Sequence, residues 1–361
     1  MPDGGGLLRP EKGRGALSNP DNRFEATSRE VFDDGWDSLL EDLPPLRTEL
    51  IREASRSAMS FNDSPDLGFD RSLNPYRGCE HGCVYCFARP SHAYLGFSPG
   101  LDFEAKLLFK PDMPALLERE LSRPGYVPRT VTLGANTDPY QPVERKLALS
   151  RRLLEVLERF GHPVGIVTKS AGVLRDLDIL RRMAARNLVR VYMSVTTLDP
   201  KLARAMEPRA ATPARRLLAM KALHEAGVPA AVLAAPMIPG LNDAELERIL
   251  GAAKAHGAAS AGYVLLRLPL ELRQLFEEWL AQHHPERAAR VLALVRETRG
   301  GRIYDSRFGT RQTGTGQWAE LLRSRFLLAI RRLGLDRRED HRRLTTEHFD
   351  GRAMDRQPAL L

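Results

Sequence analysis

Three cysteines within eight residues constrain this chain more than any other feature of its sequence. Cys79, Cys83 and Cys86 are the only cysteines among 361 residues, and they are spaced four and then three positions apart. Three thiols cannot all pair as disulfides, and these lie too close along the chain to join distant segments. In a reducing compartment, such a group of thiols indicates a metal site.

The identity of the metal depends on the fourth ligand. A structural zinc takes four ligands, and His81 could supply the fourth, although no paired-histidine pattern surrounds it. A 4Fe-4S cluster is also normally held by four cysteines. Three thiolates would leave one iron open to a small molecule, which suits catalysis better than electron storage. A zinc site and a ferredoxin-like site remain alternatives at this point.

Short apolar runs alternate with amphipathic patterns between about residues 65 and 268, which predicts an α/β fold. Runs such as 164–168 and 189–195 predict buried strands, while 144–160 and 177–185 carry apolar residues at helical spacing. Six such units in about 200 residues fit a partial (β/α)6 TIM-type barrel better than a complete barrel of eight units.

The barrel prediction divides the chain into four parts. Residues 1–62 are predicted to form an N-terminal extension that is partly disordered, with disorder expected for about the first 25 residues, and residues 63–268 to form the barrel. Residues 269–335 are predicted to be a C-terminal helical region, and 336–361 a charged tail. The Gly/Thr-rich segment 309–316 matches neither usual phosphate-binding glycine motif, so we expect a flexible link, with an anion-binding nest as the alternative.

The charge and hydropathy of the chain limit the classes of partner that we expect it to bind. The net charge is +8, and only 8 of the 54 basic residues are lysines. An excess of arginine can indicate phosphate or nucleic-acid recognition, because a guanidinium binds phosphate through two hydrogen bonds. A general compositional preference for arginine is the alternative. No apolar run reaches about 18 residues and the N-terminus lacks the apolar region of a secretory signal, so we expect a cytoplasmic protein without a membrane partner.

The spacing C-x3-C-x-aromatic-C, with Tyr85 as the aromatic residue, resembles the signature of the radical S-adenosylmethionine (SAM) superfamily. The resemblance implies that Cys79, Cys83 and Cys86 hold a 4Fe-4S cluster whose open iron is chelated by SAM. It also implies an enzyme in which one electron from the cluster cleaves SAM to methionine and a 5′-deoxyadenosyl radical. An external donor of the flavodoxin or ferredoxin type would supply that electron.

The resemblance also suggests which residues contact SAM, since sites on barrels lie where the strands end. Tyr85 and the backbone of Phe87 are expected next to the adenine ring. Lys169 is expected to face the methionyl carboxylate, with a lysine on the surface as the alternative. Ser194 is expected at the ribose hydroxyls.

Two further segments follow predicted strands. Asn136, Thr137 and Asp138 stand where the superfamily often carries Gly-Gly-Glu, and we expect them to accept hydrogen bonds from the methionyl ammonium group; an Asn-Thr-Asp-Pro turn is the alternative. Pro239 and Gly240 resemble the fifth-strand segment whose backbone flanks adenine, with a simple strand-ending turn as the alternative.

A finer resemblance points to one branch of the superfamily. Residues 136–142 (NTDPYQP), 168–170 (TKS) and the cysteine motif are similar to the spore photoproduct lyase-like branch, also called DNA repair photolyase-like. Residues 74–79 (NPYRGC) and 207–209 (EPR) resemble an uncharacterised bacterial subfamily of that branch. The resemblance makes a lyase-like reaction, with nucleic acid as a candidate substrate, the expectation.

One position departs from the branch. Spore photoproduct lyase uses a cysteine just before its Thr-Ser-Asp segment to quench the substrate radical, and the matching position here is Ala135. Repair of spore photoproduct by that route is therefore not expected, and Tyr140 is the candidate hydrogen donor.

Two hypotheses from other classes remain. A metal-binding or electron-transfer module would release neither methionine nor 5′-deoxyadenosine when the reduced protein meets SAM. A nucleic-acid-binding protein with a structural cluster would bind DNA in a salt-sensitive way that does not depend on SAM. The sequence leaves the substrate and the oligomeric state open.

Overall fold

A mostly parallel sheet is the framework of the protein. The computed structural model describes residues 12–25, 46–336 and 343–353. In chain order the strands are β1 (Glu49–Arg52), β2 (Met59–Phe61), β3 (Arg71–Leu73), β4 (Tyr76–Arg77), β5 (Lys106–Phe109), β6 (Val131–Leu133), β7 (Val164–Thr168), β8 (Val189–Ser194), β9 (Ala230–Met237) and β10 (Ser260–Leu265).

Helices connect the strands and follow the last one. In chain order they are α1 (Leu101–Ala105), α2 (Met113–Leu121), α3 (Glu144–Leu147), α4 (Leu149–Arg159), α5 (Leu177–Ala185), α6 (Pro200–Met206), α7 (Pro213–Glu225), α8 (Leu246–Ala255), α9 (Leu272–His283), α10 (Pro285–Glu297) and α11 (Gly316–Leu333). None of these helices is long and apolar enough to cross a membrane.

The main sheet has the strand order β10-β9-β8-β7-β6-β3-β2. Strands β3, β6, β7, β8, β9 and β10 are parallel, and β2 runs antiparallel to β3 at one edge. Helices lie between successive parallel strands, as parallel connections require. Six parallel strands with helical crossovers confirm the predicted partial (β/α)6 barrel. A second, small sheet has the order β1-β5-β4.

The core lies between the sheet and its helices. Leu133, Ile166, Val191 and Val232, from four neighbouring strands, are fully buried. Leu153 of α4 packs in the same apolar cluster. Strands that are buried on both faces are typical of parallel sheets covered by helices, and they explain the continuous apolar runs in the sequence.

The helix predicted over 144–160 is broken at one residue. Ala148 adopts a left-handed conformation with φ of 49°, which separates α3 from α4. The Glu144 carboxylate accepts hydrogen bonds from the backbone N–H groups of Leu149 (3.0 Å) and Ser150 (3.1 Å) at the start of α4. These bonds satisfy N–H groups that have no partner inside the helix, so the break has a capping residue of its own.

The N-terminal segment, defined here as residues 12–25, follows a defined path along the barrel. The N–H groups of Gly15 and Ala16 donate to the Glu104 carboxylate over 2.9 and 2.8 Å. The carbonyl of Ser18 accepts from the N–H of Leu101 (3.2 Å). The predicted disorder of about the first 25 residues is therefore wrong for this segment, while residues 1–11 lie outside the described part. Strand β2 also adds part of the predicted extension to the barrel sheet.

The region after β10 is helical, as predicted, but 309–316 is not a flexible link. The carbonyl of Gln312 accepts a hydrogen bond from the N–H of Leu265 in β10 (2.8 Å). Arg299 donates to the carbonyls of Thr310 (3.1 Å) and Arg311 (2.8 Å), and Arg311 forms a 2.5 Å ion pair with Asp66. These contacts attach the segment to the end of the sheet.

Part of the predicted charged tail packs against the barrel. The N–H of Asp350 donates to the carbonyl of Phe160 (3.0 Å), and the N–H of Thr345 to that of Asn187 (3.1 Å). Residues 343–353 therefore cover the end of the barrel where these two carbonyls lie.

Candidate active site

The cysteine loop (residues 79–86) is held at the carboxyl ends of the parallel strands. The N–H of Glu80 donates to the side-chain oxygen of Gln141, which follows β6 (2.8 Å). The N–H of Val84 donates to the carbonyl of Met206, which follows β8 (3.0 Å). These bonds place all three cysteines at the rim where barrel enzymes carry their active sites.

A buried arginine supports the loop from below. Arg89 is fully buried, and its Nε donates to the carbonyl of Cys83 (2.9 Å). Its guanidinium also donates to the carbonyl of Gly100 (2.8 Å) and forms an ion pair with Glu104. Glu104 is the residue that binds the N–H groups of the N-terminal segment. One buried ion pair therefore connects that segment to the backbone of the cysteine loop.

The three thiols lie in a low-dielectric environment. Burial raises the pKa of Cys83 to about 12, and burial also raises the pKa of Cys79 and of Cys86. The nearby positive charge of Lys169 acts in the opposite direction on Cys83 and Cys86. Without a metal these thiols hold their protons, so metal binding would release protons from them.

The surroundings of the thiols fit an iron–sulfur cluster. Backbone N–H groups lie near two of the sulfurs and oppose the effect of burial: that of Asp138 acts to lower the pKa of Cys79, and those of Ala88 and Arg89 act to lower the pKa of Cys86. On the other side, Cys83 packs in an apolar cluster with Phe276, Trp279 and Val291 of α9 and α10. Hydrogen bonds to the ligand sulfurs and an apolar shell are the features by which proteins hold and tune such clusters.

A single metal ion fits the same residues less well. Across the described ranges, no three His, Cys, Asp or Glu side chains are placed to hold one metal ion. His81 instead has its Nδ1 3.4 Å from the Asp138 carboxylate. Zinc needs four ligands around one point, whereas each thiolate of a 4Fe-4S cluster binds a different iron. The donor set therefore suits the cluster better than zinc.

Three of the predicted SAM contacts meet at this rim. Lys169, at the end of β7, donates a 2.8 Å hydrogen bond to the Ser194 hydroxyl at the end of β8. Its ammonium nitrogen also lies 5.6 Å from the centre of the Tyr85 ring. The Ser194 hydroxyl in turn donates to the carbonyl of Ala235 in β9 (3.0 Å). The predicted shared position is observed, while the contacts with SAM stay predictions.

A buried charge network, which the sequence does not reveal as a whole, lies next to the hydroxyl of Tyr85. Glu207 accepts hydrogen bonds from the Tyr85 hydroxyl and from Thr196 Oγ1 (2.7 Å), and it forms an ion pair with Arg216. Burial pushes the pKa of Glu207 up, but the charges of Arg216 and Lys169 outweigh burial and hold it well below its usual value. Glu207 is therefore an anion that fixes the Tyr85 ring beside the cysteines.

Part of this network had a signal in the sequence. Glu207 belongs to the Glu-Pro-Arg motif on which the subfamily resemblance rested, whereas Arg216 looked like one of many arginines on an amphipathic helix. Asn242 was also missed. Its side-chain amide donates to the carbonyls of Thr196 (2.8 Å) and Pro236 (3.0 Å) and thereby joins the segments after β8 and within β9.

Asn136 and Thr137 follow β6, as predicted. The Asn136 side chain is exposed at the rim, and its N–H donates to the side-chain oxygen of Asn74 (2.9 Å). The Thr137 hydroxyl is buried and donates to the carbonyl of Tyr76 (2.8 Å). Asn136 is therefore the residue of this pair whose side chain faces the solvent at the rim.

Asp138 holds two strand ends together. Its carboxylate accepts hydrogen bonds from the Thr168 hydroxyl (2.7 Å) and from the N–H of Lys169 (2.6 Å). Burial acts to raise its pKa, but His81 and these donors lower it below the usual value. The side chain thus fixes the backbone of Lys169, and its predicted contact with SAM stays a prediction.

Tyr140 and Phe87 make other contacts. The Tyr140 hydroxyl is buried and donates to Asp176 (3.0 Å). The Phe87 ring is 44% exposed, with the guanidinium of Arg267 4.5 Å from its centre. Their predicted roles, hydrogen donor and backbone contact with adenine, stay predictions.

Pro239 and Gly240 form the turn that follows β9. Gly240 has φ of 76°, and its N–H donates to the carboxylate of Asp243 (3.0 Å). A Cβ at this position would lie 3.0 Å from Leu294 of α10. The turn is therefore closely packed against the C-terminal helices, and its contact with adenine is untested.

Comparison with solved structures supports the same fold. The chain resembles spore photoproduct lyase in complex with dinucleoside spore photoproduct, with a TM-score of 0.56 and 16% identity over 79% of each chain. A mutant of spore photoproduct lyase gives a TM-score of 0.57 with 17% identity, covering 79% of this chain and 80% of the other. At these identities the similarity establishes the fold and not the reaction.

Comparison with sequences establishes the family. The chain is 40% identical over 232 residues to the uncharacterized protein Rv2578c of Mycobacterium tuberculosis, which covers 64% of this chain and 68% of that protein. It is 26% identical over 240 residues to the uncharacterized protein MJ0683 of Methanocaldococcus jannaschii, covering 66% and 85%. The sequence profile of the radical SAM superfamily matches residues 73–253, which include the three cysteines and four of the six parallel strands, β6 to β9. The chain therefore belongs to the radical SAM superfamily.

Proposed function

We propose that this protein is a radical SAM enzyme in which Cys79, Cys83 and Cys86 hold a 4Fe-4S cluster. The observation that carries the proposal is the meeting of two buried thiols (Cys79 and Cys83), the half-buried thiol of Cys86 and Lys169 at the carboxyl ends of the strands. When bound, such a cluster supplies the electron that cleaves SAM to methionine and a 5′-deoxyadenosyl radical. A reducing cytoplasm and an external donor of the flavodoxin or ferredoxin type would suit this chemistry.

The side chains at the rim have distinct roles in this proposal. Lys169 neutralises the methionyl carboxylate, and Ser194 binds the ribose. Tyr85, held in place by Glu207, lies against the adenine ring together with the backbone of Phe87 and the turn at Pro239 and Gly240. Each role uses a group that already lies at the rim, so SAM binding needs little rearrangement of the protein.

Asn136 is the best-placed acceptor for the methionyl ammonium group. It comes three residues after the last residue of β6, and its side chain is exposed at the rim. Thr137 and Asp138, which make hydrogen bonds inside the protein, would act mainly by fixing the backbone around it.

The substrate is proposed to differ from spore photoproduct. Nucleic acid is a candidate class, since the fold resembles a protein solved with a dinucleoside photoproduct. Ala135 occupies the position of the lyase cysteine. When catalytic residues act as a unit, the loss of one essential group removes most of the rate. Tyr140 is the proposed hydrogen donor for whatever radical is formed.

Reconstitution under anaerobic conditions tests the proposal. Wild-type protein should bind about four irons per chain, as a 4Fe-4S cluster requires, and Cys83→Ala should lose most of them. The reduced wild type should convert SAM to methionine and 5′-deoxyadenosine. One zinc per chain without iron, or a loaded protein that leaves SAM intact, would contradict the proposal.

The substrate proposal has its own test. Reduced enzyme with SAM is incubated with DNA that carries spore photoproduct, and thymine is followed by chromatography. We expect no repair at a lyase-like rate. Fast repair that is unchanged in Tyr140→Phe would show that Ala135 does not exclude the lyase reaction and that Tyr140 is not the donor.

A further inference from the structure

A basic cavity lies beside the cysteine loop and has no part in the proposed SAM contacts. Its volume is about 510 Å3, and the ring of His81, from the middle of the cysteine loop, forms part of its wall. The other walls come from the segments that follow β6, β7 and β8. The cavity therefore opens at the same rim as the cysteines, and its size suits a small molecule or one end of a larger one.

Four arginines line this cavity: Arg145, Arg175, Arg209 and Arg215. Two of them are neutralised. Arg175 forms 2.8 Å ion pairs with Glu144 and Asp176, and Arg209 lies 3.1 Å from Glu80.

The other two arginines are exposed. Within the described ranges, neither Arg145 nor Arg215 forms an ion pair. Glu144, already bound to Arg175, is the carboxylate among the lining residues. The cavity thus keeps an excess of positive charge, and an anion would bind there without displacing an internal partner.

The dipole of one helix and a side-chain hydroxyl add to this preference. Helix α7 begins at the cavity, with Thr212 as its N-cap residue. The positive end of a helix dipole favours phosphate, and a guanidinium binds phosphate through paired hydrogen bonds. Ser170 also lines the cavity and offers a hydroxyl. A phosphate group, which offers several oxygens to more than one guanidinium, matches these groups better than a carboxylate, which one arginine satisfies.

A second cavity adjoins the first. It measures about 360 Å3 and shares Ala210, Ala211 and Thr212 with the larger cavity. Its charged lining residues are Lys201, Arg204 and Glu207, and Glu207 is already paired with Arg216. Both basic lining side chains are exposed. Positive charge therefore continues across the segment 210–212, from one cavity into the next.

We infer that the cavity at Arg145 and Arg215 is a phosphate-binding site that anchors the substrate beside the cysteine loop. This inference rests on the proposed function in one respect: the cysteine loop beside the cavity is taken as the reacting centre. The phosphate comes either from a phosphorylated small molecule, which fits in the larger cavity, or from a phosphodiester strand, which crosses into the smaller cavity as well.

Binding measurements on the cluster-loaded protein test the inference. The probes are inorganic phosphate, adenosine 5′-monophosphate and a fluorescein-labelled single-stranded oligodeoxynucleotide. Arg145→Gln and Arg215→Gln should each weaken phosphate binding roughly three- to tenfold, uniformly across sequences if the probe is a strand. Arg290→Gln, which changes an exposed arginine on α10, is the matched control and should bind like the wild type.

Lys201→Gln distinguishes the two sources of phosphate. A strand touches both cavities, so this variant should weaken the oligonucleotide and lower its salt slope by about 0.7 per lost phosphate contact. A phosphorylated small molecule should bind Lys201→Gln like the wild type. Either pattern supports the inference, provided that the two arginine variants bind more weakly.

Two results would overturn the inference. One is that none of the probes binds, or that Arg145→Gln and Arg215→Gln bind them like the wild type. The other is that both variants slow reduction of the cluster by a flavodoxin without changing phosphate binding, which would assign the arginines to an acidic protein partner. Protein that holds iron and cleaves SAM but binds no phosphate would contradict this inference and leave the proposed function intact. Protein that binds phosphate but neither holds a cluster nor cleaves SAM would contradict the proposed function and leave the phosphate site intact.

Discussion

The ammonium group of Lys169 is hydrogen bonded to the hydroxyl of Ser194 over 2.8 Å, which joins the ends of β7 and β8 beside the three cysteines. Lys169 follows β7 and Ser194 is the last residue of β8, and the parallel pairing of these two strands brings the residues together. The contact shows how the order of the strands, and not proximity along the chain, assembles this site.

Lys169→Met should weaken SAM binding by about tenfold or more, since a charge-assisted contact with the methionyl carboxylate would be lost. Iron content should be unchanged, because the thiols remain. Lys254→Met, which changes an exposed lysine on α8, is the matched control. The check is SAM affinity by equilibrium dialysis. Unchanged affinity, or a loss of iron that parallels the loss of SAM, would contradict this role.

Gly15→Val should destabilise the cysteine loop. A Cβ at Gly15 would lie 1.8 Å from the carbonyl oxygen of Gly82, so the two backbones could not keep their present contact. We expect a loss of more than about 2 kcal/mol in the free energy of unfolding, together with lower iron retention. Gly68→Ala is the control, since nothing lies within 4 Å of a Cβ there. Normal stability and iron content in Gly15→Val would refute the contact.

Arg216→Met should lower the free energy of unfolding more than Arg215→Met, which changes the exposed neighbouring arginine. The change at Arg216 would leave the buried carboxylate of Glu207 without its cation, and such a loss typically costs about 3–5 kcal/mol. The double variant Glu207→Gln/Arg216→Met removes both charges and should recover part of that stability. Urea unfolding of the three variants provides the measurement. A double variant less stable than Arg216→Met would show that Glu207 does not depend on this cation.

Acid should destabilise the protein through His162. Burial lowers its pKa to about 4 from the ordinary 6.5. Between these values the unfolded chain binds a proton that the folded chain excludes, so stability falls as the pH drops through this window. The loss is about 1.4 kcal/mol per pKa unit, or roughly 3 kcal/mol in all.

The check for His162 is urea unfolding between pH 7 and 4. His162→Gln, which does not titrate, should flatten the dependence of stability on pH, even though it removes the hydrogen bond to Tyr126. His348→Gln is the control at an exposed position. An equally steep dependence in His162→Gln would show that other groups cause the acid sensitivity.

The barrel could be predicted because its strands are buried on both faces. β7 (Val164–Thr168) and α5 (Leu177–Ala185) have the predicted bounds, since a continuous apolar run and a helical period are local signals. Helix α6 was missed, although Asp199 and Pro200 offered an N-cap and a first helical residue. The small sheet was missed for another reason, because β1 and β5 lie far apart in sequence and each is only four residues long.

The candidate site was predictable only where a residue follows a strand or belongs to a motif. The cysteine motif includes the three cysteines and Tyr85, and the ends of predicted strands are marked by Lys169 and Ser194. Arg89, Glu104 and Arg216 met neither condition, because a buried ion pair is formed by tertiary packing and its members look like surface charges in the sequence. The same limitation applies to the N-terminal segment. Its glycines predict disorder, and only the folded structure shows the backbone that they contact.

The contact between Gly15 and Gly82 also makes the N-terminal segment a reporter of the metal centre. The segment is bound to the cysteine loop and to Glu104, and it contains trypsin sites at Arg14 and Arg23. If a cluster bound by the three cysteines restrains the loop that the segment contacts, cleavage at these arginines should slow as the loop is loaded. The rate of limited trypsin digestion, followed by gel electrophoresis, would then report cluster occupancy without iron analysis or spectroscopy.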